Sequence, residues 1–471
     1  LPARRPSIPL MAADERRFLL AAGDLVVVGL IFILTLKAAP WLARWTMLSL
    51  ESWQWSWLLI LDLTWALVAL CFGCYDLRRT VRPAGSLPTT AAAALCTAIV
   101  YFFIPRVTAP FTTSRALMFF LAGGLVIALC AWRLLFATVM SRAAFRRRVL
   151  ILGTGASARE IASVLQADSR HEYELAGFVT LDDSLADGAA DSNPAGPTIG
   201  DIDQLLESAP ARGVDELVLS TSYPLPADLQ RKLVALYEAG IQITPMAQLY
   251  EQLTGRVPVE HVGSYWMVTL PQHRVSLGYT LAKRAFDVVL ACLGLLGTAI
   301  ILPFIALAIR LNSPGPIFYS QERVGELGKV FRLLKFRSMV ADAEQNGQAV
   351  WAQKGDSRIT PVGRFLRATR LDELPQFWNV LRGDMSVIGP RPERPQFVEM
   401  LEQEIPFYRS RLFVKPGLGG WAQVNYRYGS SVHDALIKLQ YDLYYVKHQS
   451  LVLDLVIAWR TLGVMLRFKG T

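Results

Sequence analysis

The sequence predicts a membrane protein made of an N-terminal four-helix transmembrane bundle, a central Rossmann-like α/β domain and a mainly α-helical C-terminal domain with a re-entrant membrane helix. The 471 residues are 52% hydrophobic, and a mean hydropathy of +0.31 is too high for an ordinary soluble protein. A glycine-rich turn follows a strand-like run near the middle of the chain, and a fifth apolar run precedes an arginine-rich segment. We therefore expect domains at residues 1–145, 146–272 and 273–471.

The net charge of the chain, +9, indicates an anionic partner. Lipid headgroups, nucleic acids and phosphorylated substrates all attract a basic protein. The charge alone does not choose among these partners; from the sequence as a whole, membrane lipids are an expected partner and no nucleic acid partner is expected.

Four apolar runs form the first domain, and each approaches the ~20 residues that a helix needs to cross the hydrocarbon. Arginines lie before the first run, between the second and third, and after the fourth, so both ends of the bundle should face the cytoplasm. Asp24 and Asp62 lie inside apolar runs and suggest a buried polar pair or an ion path, although simple helix packing or snorkelling is favoured. The runs are Phe18–Leu36, Trp57–Gly73, Thr89–Ile104 and Ala116–Met140.

The second domain opens with "RRVLILGTGASAREIASVLQ", which predicts a strand, a glycine turn and a helix. Gly153, Gly155 and Ala158 fit G-x-G-x-x-A, the phosphate-binding turn of a Rossmann unit. Two further strand-like runs alternate with helical stretches, which favours a parallel sheet. The turn indicates either binding of NAD or a nucleotide sugar, or a degenerate domain used for assembly. We favour the second interpretation because the turn alone is a weak signal.

A fifth apolar run, from Val288 to Ile309, is long enough to span a membrane. Basic residues flank it on both sides, which indicates that both ends remain cytoplasmic. Pro303 lies within the run and removes an amide donor, which favours a bend there. We predict a re-entrant helix over about 283–311 that bends at Leu302–Pro303, with a kinked spanning helix as the alternative.

The stretch "RLDELPQ" places Asp372 and Glu373 among arginines. An apolar stripe predicts a helix over about 371–381 that packs by this stripe, so that both acids point away from the core. Pro375 is tolerated only in a first helical turn, which puts both acids at or just before a helix N-terminus. The stripe consists of Leu371, Leu374, Trp378 and Leu381.

Together these residues favour phosphoryl transfer at a membrane surface. Arginines and Lys335 offer hydrogen-bond donors for a diphosphate. An aspartate with a lowered pKa can act as a nucleophile on phosphorus, and a neighbouring glutamate can hold Mg²⁺. The alternative is that Asp372 is only a helix N-cap, but Pro375 stands where a capping box needs Glu or Gln.

Five ordered motifs between Lys283 and Leu466 resemble the polyprenyl-phosphate hexose-1-phosphate transferases, the monotopic phosphoglycosyl transferases of bacterial polysaccharide assembly. The anchor and the Rossmann-like domain are similar to those of the large members of this family. The motifs are "KRAFDVVLACLGLL…P", "PGPIFYSQERVG", "LKFRSM", "RLDELPQFWNVLRGDMSVIGPRPE" and "VKPGLGGWAQVNYRYG".

The resemblance implies a ping-pong reaction. Asp372 would attack the β-phosphorus of a UDP-hexose, with glucose or galactose as the expected sugar, release UMP and carry a covalent phosphosugar. Undecaprenyl phosphate would then accept the phosphosugar, which initiates assembly of an exopolysaccharide, O-antigen or capsule repeat unit. Glu373 matches the carboxylate that the family associates with Mg²⁺, and Asp372 is a second candidate ligand.

The resemblance also implies roles for other residues. Pro303 matches the helix-breaking proline of the family, although Leu302 stands where Ser is frequent. Gly419 stands where Thr is frequent, which puts a loop contact in question. Cations around the phosphates and a P-R-P segment on the nucleotide side are matched by Lys335, Arg337, Arg367, Pro390, Arg391 and Pro392.

The resemblance implies a multi-pass protein of the bacterial inner (cytoplasmic) membrane with its catalytic domain on the cytoplasmic face, and a homodimer is expected. The alternative is a membrane-anchored NAD-dependent sugar-nucleotide dehydratase or epimerase, which predicts reductase residues inside the middle domain. The Y-x-x-x-K pair Tyr279–Lys283 instead opens the fifth apolar run, where both residues are ordinary interfacial anchors. A third possibility, a scaffold for polymerising enzymes, leaves the basic segment unexplained.

Overall fold

The computed structural model divides into two compact units, Leu1–Leu249 and Tyr250–Thr471, and each is described by itself. Helices and strands are numbered in chain order. The residues described are 13–42, 55–75, 80, 83–104, 108–109, 114–140, 147–167, 173–180, 197–220, 225–261, 276–340, 356, 358–426, 429 and 431–466.

Four apolar helices form the first part of the first unit, and each is long and apolar enough to cross a membrane. Phe32, Trp65 and Leu121, from three of these helices, are fully buried in one shared hydrophobic core. The prediction of several apolar helices at the N-terminus is confirmed. The helices are α1 (Ala13–Leu42), α2 (Trp55–Phe72), α3 (Pro83–Phe102) and α4 (Arg115–Met140).

A buried ion pair joins α1 to α4. Arg133 Nη2 donates to a carboxylate oxygen of Asp24 at 2.6 Å, and the two side chains are 1% and 0% exposed. The guanidinium also lies over the ring of Tyr75, 5.5 Å from its centroid. The sequence interpretation favoured simple helix packing or snorkelling for Asp24 and did not identify Arg133 as its partner. A carboxylate in apolar surroundings is stabilised by such a cation.

A five-stranded parallel sheet forms the rest of the first unit. Its strand order, β3-β2-β1-β4-β5, belongs to the doubly wound Rossmann arrangement. The predicted central parallel α/β region is thus confirmed. The strands are β1 (Arg147–Leu152), β2 (Tyr173–Thr180), β3 (Thr198–Asp201), β4 (Glu216–Leu219) and β5 (Gln242–Pro245). The helices are α5 (Ala156–Ala167), α6 (Ile202–Arg212), α7 (Ala227–Glu238) and α8 (Met246–Thr254).

The glycine turn lies between β1 and α5, as the sequence predicts. Gly153 has a φ of +109° and donates its amide to the Val179 carbonyl at 2.8 Å. Ala158 is fully buried in the first turns of α5. A nucleotide role for Gly153, Gly155 and Ala158 stays a prediction.

The second unit includes the end of α8 and a 3-10 turn, Val259–His261. Its long helix α9 (Leu277–Asn312) keeps a helical conformation through Pro303. The re-entrant path stays a prediction. An antiparallel hairpin of β6 (Phe318–Val324) and β7 (Val330–Phe336) follows. The remaining elements are α10 (Pro361–Thr369), α11 (Gln376–Arg382), β8 (Ser386–Ile388), α12 (Pro395–Glu404), β9 (Gly417–Gly419), α13 (Trp421–Asn425), α14 (Val432–Lys447) and α15 (Leu451–Leu466).

The helix α9 buries one face against the rest of this unit along most of its length. Ala291, before Pro303, packs with α11 and β8, and Ile305 and Ile309, after Pro303, pack with β7 and α10. The opposite face carries an exposed apolar stripe at helical spacing. The stripe consists of Val289, Leu293, Leu296, Ile300, Phe304, Leu307 and Leu311.

Candidate active site

Asp372 and Glu373 lie in a 3-10 turn, Leu371–Glu373, between α10 and α11. Arg370 ends α10 in the left-handed conformation, with a φ of +58°, and α11 begins only at Gln376 after Pro375. The predicted continuous helix from 371 to 381 is therefore wrong at its start. Because the turn changes the direction of the chain, Trp378 is 53% exposed and Asp372 is only 7% exposed, the reverse of the predicted orientation.

Three cations surround the carboxylate of Glu373. Arg391 Nη2 and Lys335 Nζ donate to Oε1 at 2.8 Å and 3.3 Å, and Arg370 Nη1 lies 3.7 Å from Oε2. Burial alone would raise the pKa of Glu373, but the charges of Arg391, Lys335 and Arg370 outweigh it and hold this pKa well below its ordinary value. Glu373 is therefore a fixed, ionised carboxylate.

Asp372 has a different environment, although it is the adjacent residue. Its carboxylate makes no hydrogen bond to any of the residues that the structure describes. Burial raises the pKa of Asp372 and the Glu373 carboxylate adds to this rise, while the charge of Lys335 opposes it. The expectation of a lowered pKa is thus wrong, because burial outweighs the nearby cations. The result is a more basic carboxylate beside a strongly acidic one.

Lys335 reaches the dyad from β7, and a buried amide holds this strand against α11. Asn379 of α11 accepts from the Leu334 amide at 3.0 Å and donates to the Arg332 carbonyl at 2.8 Å. These bonds fix the backbone on the N-terminal side of Lys335. Burial lowers the pKa of Lys335, and the Glu373 charge opposes this effect. The sequence interpretation did not include Asn379, although a polar residue within the apolar "FWNVL" was a usable signal.

The segment Pro390–Arg391–Pro392 is held by its backbone carbonyls. The Gly417 amide donates to Pro390 at 2.9 Å, Arg411 Nη2 donates to Arg391 at 2.9 Å, and Arg323 Nη1 donates to Pro392 at 3.3 Å. Arg411 is itself buried in an ion pair with Asp442 at 2.8 Å. These bonds fix the main chain through its carbonyls, so the Arg391 side chain remains directed at Glu373. Sequence motifs did not indicate Arg411 or Asp442.

Close backbone packing connects this segment to the "KPGLGG" motif. The Gly389 amide donates to the Gly419 carbonyl at 2.9 Å, alongside the parallel pairing of β8 with β9. A Cβ atom on Gly389 would collide with the carbonyl oxygen of Lys415. The glycines of both motifs thus allow two chain segments to approach more closely than side chains would permit.

The other two predicted phosphate contacts differ in position. Arg367 lies in the last turn of α10, and its charge lowers the pKa of Asp372, after the larger effects of burial, Lys335 and Glu373. Arg337 is buried, and its Nη atoms donate to the carbonyls of Ser313 and Pro314, each at 2.7 Å, just after α9. The structure thus brings Lys335, Arg367 and Arg391 to the dyad, whereas Arg337 binds the backbone that follows α9.

Asp372 and Glu373 are the residues of this site that could hold a magnesium ion. Among the described residues, no cluster of three or more His, Cys, Asp or Glu side chains is arranged to hold a metal. Mg²⁺ differs from structural metals because it commonly uses one or two protein carboxylates and takes its other ligands from substrate phosphates and water. Asp372 and Glu373 provide such a pair.

Two families match the chain. Residues 278–468 match the family described as "Bacterial sugar transferase", and residues 70–243 match the family described as "CoA-binding domain". The first match includes every residue of the dyad and of its cationic surroundings. The second includes most of the parallel sheet.

Several named bacterial proteins are similar to this chain. UDP-N-acetylgalactosamine-undecaprenyl-phosphate N-acetylgalactosaminephosphotransferase of Aeromonas hydrophila is 42% identical over 246 residues, which cover 52% of this chain and 57% of that protein. UDP-glucose:undecaprenyl-phosphate glucose-1-phosphate transferase of Xanthomonas campestris pv. campestris is 33% identical over 325 residues, or 67% of each chain. A transferase of the same name from Caulobacter vibrioides is 41% identical over 215 residues, 44% of this chain and 79% of that protein. The chain spans little more than half of the Aeromonas protein.

Proposed function

The chain belongs to the bacterial sugar transferase family, and we propose that it transfers hexose 1-phosphate from a UDP-hexose to undecaprenyl phosphate. The observation that carries this proposal is the unequal pair of carboxylates, in which cations hold Glu373 while Asp372 is buried without a hydrogen-bond partner among the described residues. The similar proteins that act on UDP-sugars and undecaprenyl phosphate, according to their names, support this choice of substrates.

We assign the nucleophile to Asp372. One of its oxygens bonds to the β-phosphorus of the UDP-hexose, and the bond from this phosphorus to the bridging oxygen breaks. The electron pair leaves with UMP, and the phosphosugar remains on Asp372 as an acyl phosphate. A phosphate oxygen of undecaprenyl phosphate then attacks the same phosphorus, and Asp372 leaves as a carboxylate. The raised pKa of Asp372 makes its ionised form a stronger nucleophile.

The surrounding residues stabilise charge and orient the diphosphate. Lys335 and Arg391 lie within hydrogen-bond distance of Glu373 and can also donate to phosphate oxygens. Arg367 provides a further positive charge near Asp372. Glu373, with Asp372 as a second ligand, would hold Mg²⁺, which neutralises developing charge on the phosphates when bound. Pro390 and Pro392 restrict the backbone on both sides of Arg391.

The alternative function, an NAD-dependent dehydratase or epimerase, has no support from the Tyr279–Lys283 pair. Both side chains contact Asp454 of α15, at 3.1 Å and 3.0 Å. Their polar groups are therefore used in packing within the second unit.

The test of the proposed function is UMP release in isolated membranes supplied with UDP-glucose, UDP-galactose and UDP-N-acetylgalactosamine. Wild-type protein should release UMP with at least one sugar and form undecaprenyl-diphospho-hexose. Mass spectrometry should find the phosphosugar on the peptide that contains Asp372. Normal turnover by Asp372→Asn would refute the assignment of the nucleophile, and no UMP release from any UDP-sugar would refute the function.

We also propose that α9 is re-entrant, so that both of its ends stay on the cytoplasmic side. Residues before and after Pro303 pack against the same folded unit, and the stripe on the opposite face is available to lipid. This packing on both sides of Pro303 supports a path in which the second half of the helix stays on the side of the folded unit. Cysteine labelling at Arg310→Cys, in a variant without the native cysteines, should require permeabilised cells. Labelling from the periplasm would contradict the proposal.

We also propose a membrane location, an orientation and an oligomeric state for the protein. The four N-terminal helices would form a transmembrane bundle in the bacterial inner membrane, because arginine-rich connections lie at both of its ends. The catalytic unit would face the cytoplasm, where UDP-sugars are made. A homodimer is expected, and light scattering of the protein in detergent, corrected for bound detergent, would show a single-chain mass if this expectation is wrong.

A further inference from the structure

The first turns of α9 contact α11, which follows the dyad, and β8, which precedes Arg391. Three charged side chains, Lys283, Arg284 and Asp287, lie within five consecutive residues of this helix. None of them belongs to the dyad or to its cationic surroundings. Each makes hydrogen bonds to the α11–β8 region, and these bonds are the basis of the inference.

Arg284 holds the end of α11. Its Nη1 and Nη2 atoms donate to the carbonyls of Val380 and Leu381, at 2.8 Å and 2.7 Å. These carbonyls lie in the last turn of the helix, where carbonyls lack i+4 amide partners within the helix; the Val380 carbonyl also accepts from the Gly383 amide at 3.1 Å. A guanidinium that satisfies two of them therefore fixes the position of α11, and the dyad directly precedes this helix.

Asp287 holds the start of β8. One of its oxygens accepts from the Ser386 hydroxyl and from the Val387 amide, each at 2.9 Å. Asp287 is 3% exposed and Ser386 is fully buried. A buried carboxylate that bonds a backbone amide fixes that point of the chain, because a displacement would leave the charge without partners.

Lys283 holds the end of β8. Its Nζ atom donates to the Ile388 carbonyl at 3.2 Å, to the Tyr445 hydroxyl at 3.1 Å and to Asp454 at 3.0 Å. Tyr445 in turn donates to Asp454 at 2.8 Å. Ile388 lies three residues before Arg391. The network therefore fixes the position of the main chain just before the Pro390–Arg391–Pro392 segment.

The path of the chain explains why these contacts affect the site. The dyad precedes α11, the chain turns at Gly383, and β8 returns towards Arg391. The distance between Glu373 and Arg391 therefore depends on how α11 and β8 lie against each other. The turn at Gly383 connects α11 to β8 through the main chain. The side chains on α9 bond to both elements and so also fix their relative position.

We propose that Lys283, Arg284 and Asp287 are positioning residues for the transfer reaction, which makes the membrane helix α9 a part of the frame that sets the Glu373–Arg391 contact. This inference rests on the proposed function. It assigns the three residues no contact with the substrate. Their effect is expected on kcat, because a displacement of about 1 Å in a reacting constellation costs ~10²-fold in rate.

The test uses the full-length protein in nanodiscs, with UMP release measured against the concentration of the preferred UDP-sugar. Lys283→Met and Asp287→Ala should each lower kcat ~10²-fold while KM changes by less than about threefold. Lys283→Arg should recover part of the lost kcat, because the charge and a donor return. Arg310→Gln is the matched control, since Arg310 is exposed on the same helix and makes no hydrogen bond or ion pair to a described residue. It should behave as wild type.

A double-mutant cycle separates positioning from a loss of folded protein. In an Arg391→Lys background, Lys283→Met should lower kcat by less than about threefold, because the contact that it positions is already weakened. An equal loss of activity in both backgrounds would overturn the proposal, since a lower folded fraction acts equally on each. Wild-type kcat in folded Lys283→Met would overturn it as well. If Asp287→Ala is not recovered as folded protein, Lys283→Met and its cycle decide alone.

The two hypotheses fail in different ways. A wild-type protein that releases no UMP from any UDP-sugar refutes the proposed function. An active wild type combined with fully active Lys283→Met refutes only the positioning role.

Discussion

Asp372 and Glu373 are adjacent in the chain but have opposite electrostatic environments. Glu373 lies between Arg391, Lys335 and Arg370, whereas the buried Asp372 makes no hydrogen bond to a described residue. Arg391, Lys335 and Arg370 thus keep Glu373 ionised, whereas burial makes Asp372 more basic despite the opposing charge of Lys335. Two carboxylates with separated pKa values are a common basis for dividing roles in catalysis.

The pH dependence of the reaction should report the pKa of Asp372. Burial raises this pKa and Glu373 raises it further, while Lys335 lowers it. Because the nucleophile must be ionised, kcat/KM should fall as the pH drops through this pKa. Glu373→Gln removes a negative neighbour and should move the acidic limb to lower pH. Lys335→Met removes a positive neighbour and should move it to higher pH. Single-turnover UMP release at several pH values measures both shifts, and shifts in the same direction would contradict the assignment.

Asn379→Ala should impair catalysis as well as stability. The substitution leaves the Leu334 amide and the Arg332 carbonyl without their partner, which costs about 1–3 kcal/mol for buried groups. It also releases β7 next to Lys335, so UMP release per folded molecule should fall. Asn425→Ala is the matched control, because this asparagine is exposed and its bonds to the Trp421 carbonyl and from Arg460 are not buried. Thermal unfolding and initial rates measure the two effects. An Asn379→Ala protein with wild-type activity would show that Lys335 does not depend on this contact.

Gly389→Ala should abolish most of the activity. The added methyl group would collide with the Lys415 carbonyl, so β8 and β9 must separate just before Arg391. The matched control is Gly297→Ala on α9, where the added methyl group meets no atom within 4 Å other than its chain neighbours and the helix's own backbone. Rates of UMP release under identical expression and purification provide the comparison. Comparable rates for the two variants would mean that the close approach at Gly389 is dispensable.

Arg133→Met should destabilise the N-terminal helices more than removal of the whole ion pair. The single substitution leaves the buried Asp24 without its cation, and breaking such a pair costs about 3–5 kcal/mol. The double variant Asp24→Leu/Arg133→Met has no unpaired charge and should recover most of the lost stability. Thermal denaturation in detergent, followed by light scattering, measures the midpoints. A double variant less stable than the single one would contradict this account.

Local patterns in the sequence predict the elements well but not the contacts between distant segments. Apolar runs and the glycine turn indicate the helices and the parallel sheet because both signals are contained in neighbouring residues. The burial of Asp372 depends instead on the left-handed conformation of Arg370 and the 3-10 turn, which rotate the dyad relative to α11. Leu371, Leu374 and Leu381 of the stripe do pack against the core, as predicted. Trp378 is exposed instead, and Asp372 is buried where the stripe predicts exposure.

Long-range partners limit the prediction in the same way. Asp24 pairs with Arg133, which is 109 residues away and surrounded in the sequence by apolar residues. The Lys283–Asp454 contact joins residues 171 positions apart. Motifs indicate which side chains can carry charge or donate hydrogen bonds. Which of these side chains contact each other depends on the fold.

The contact between Lys283 and Asp454 also bears on the order of events during synthesis. At ~5–20 residues per second, a ribosome needs roughly 10–30 s to add the 171 residues that separate the two partners. The helix α9 can thus enter the bilayer before Asp454 is translated. During this interval Lys283 is solvated by water or by lipid headgroups. The Glu373–Arg391 pair is translated earlier than the residue that completes its support. The nascent chain can therefore be bound to the membrane before the Lys283–Asp454 contact that supports the Arg391 segment has formed.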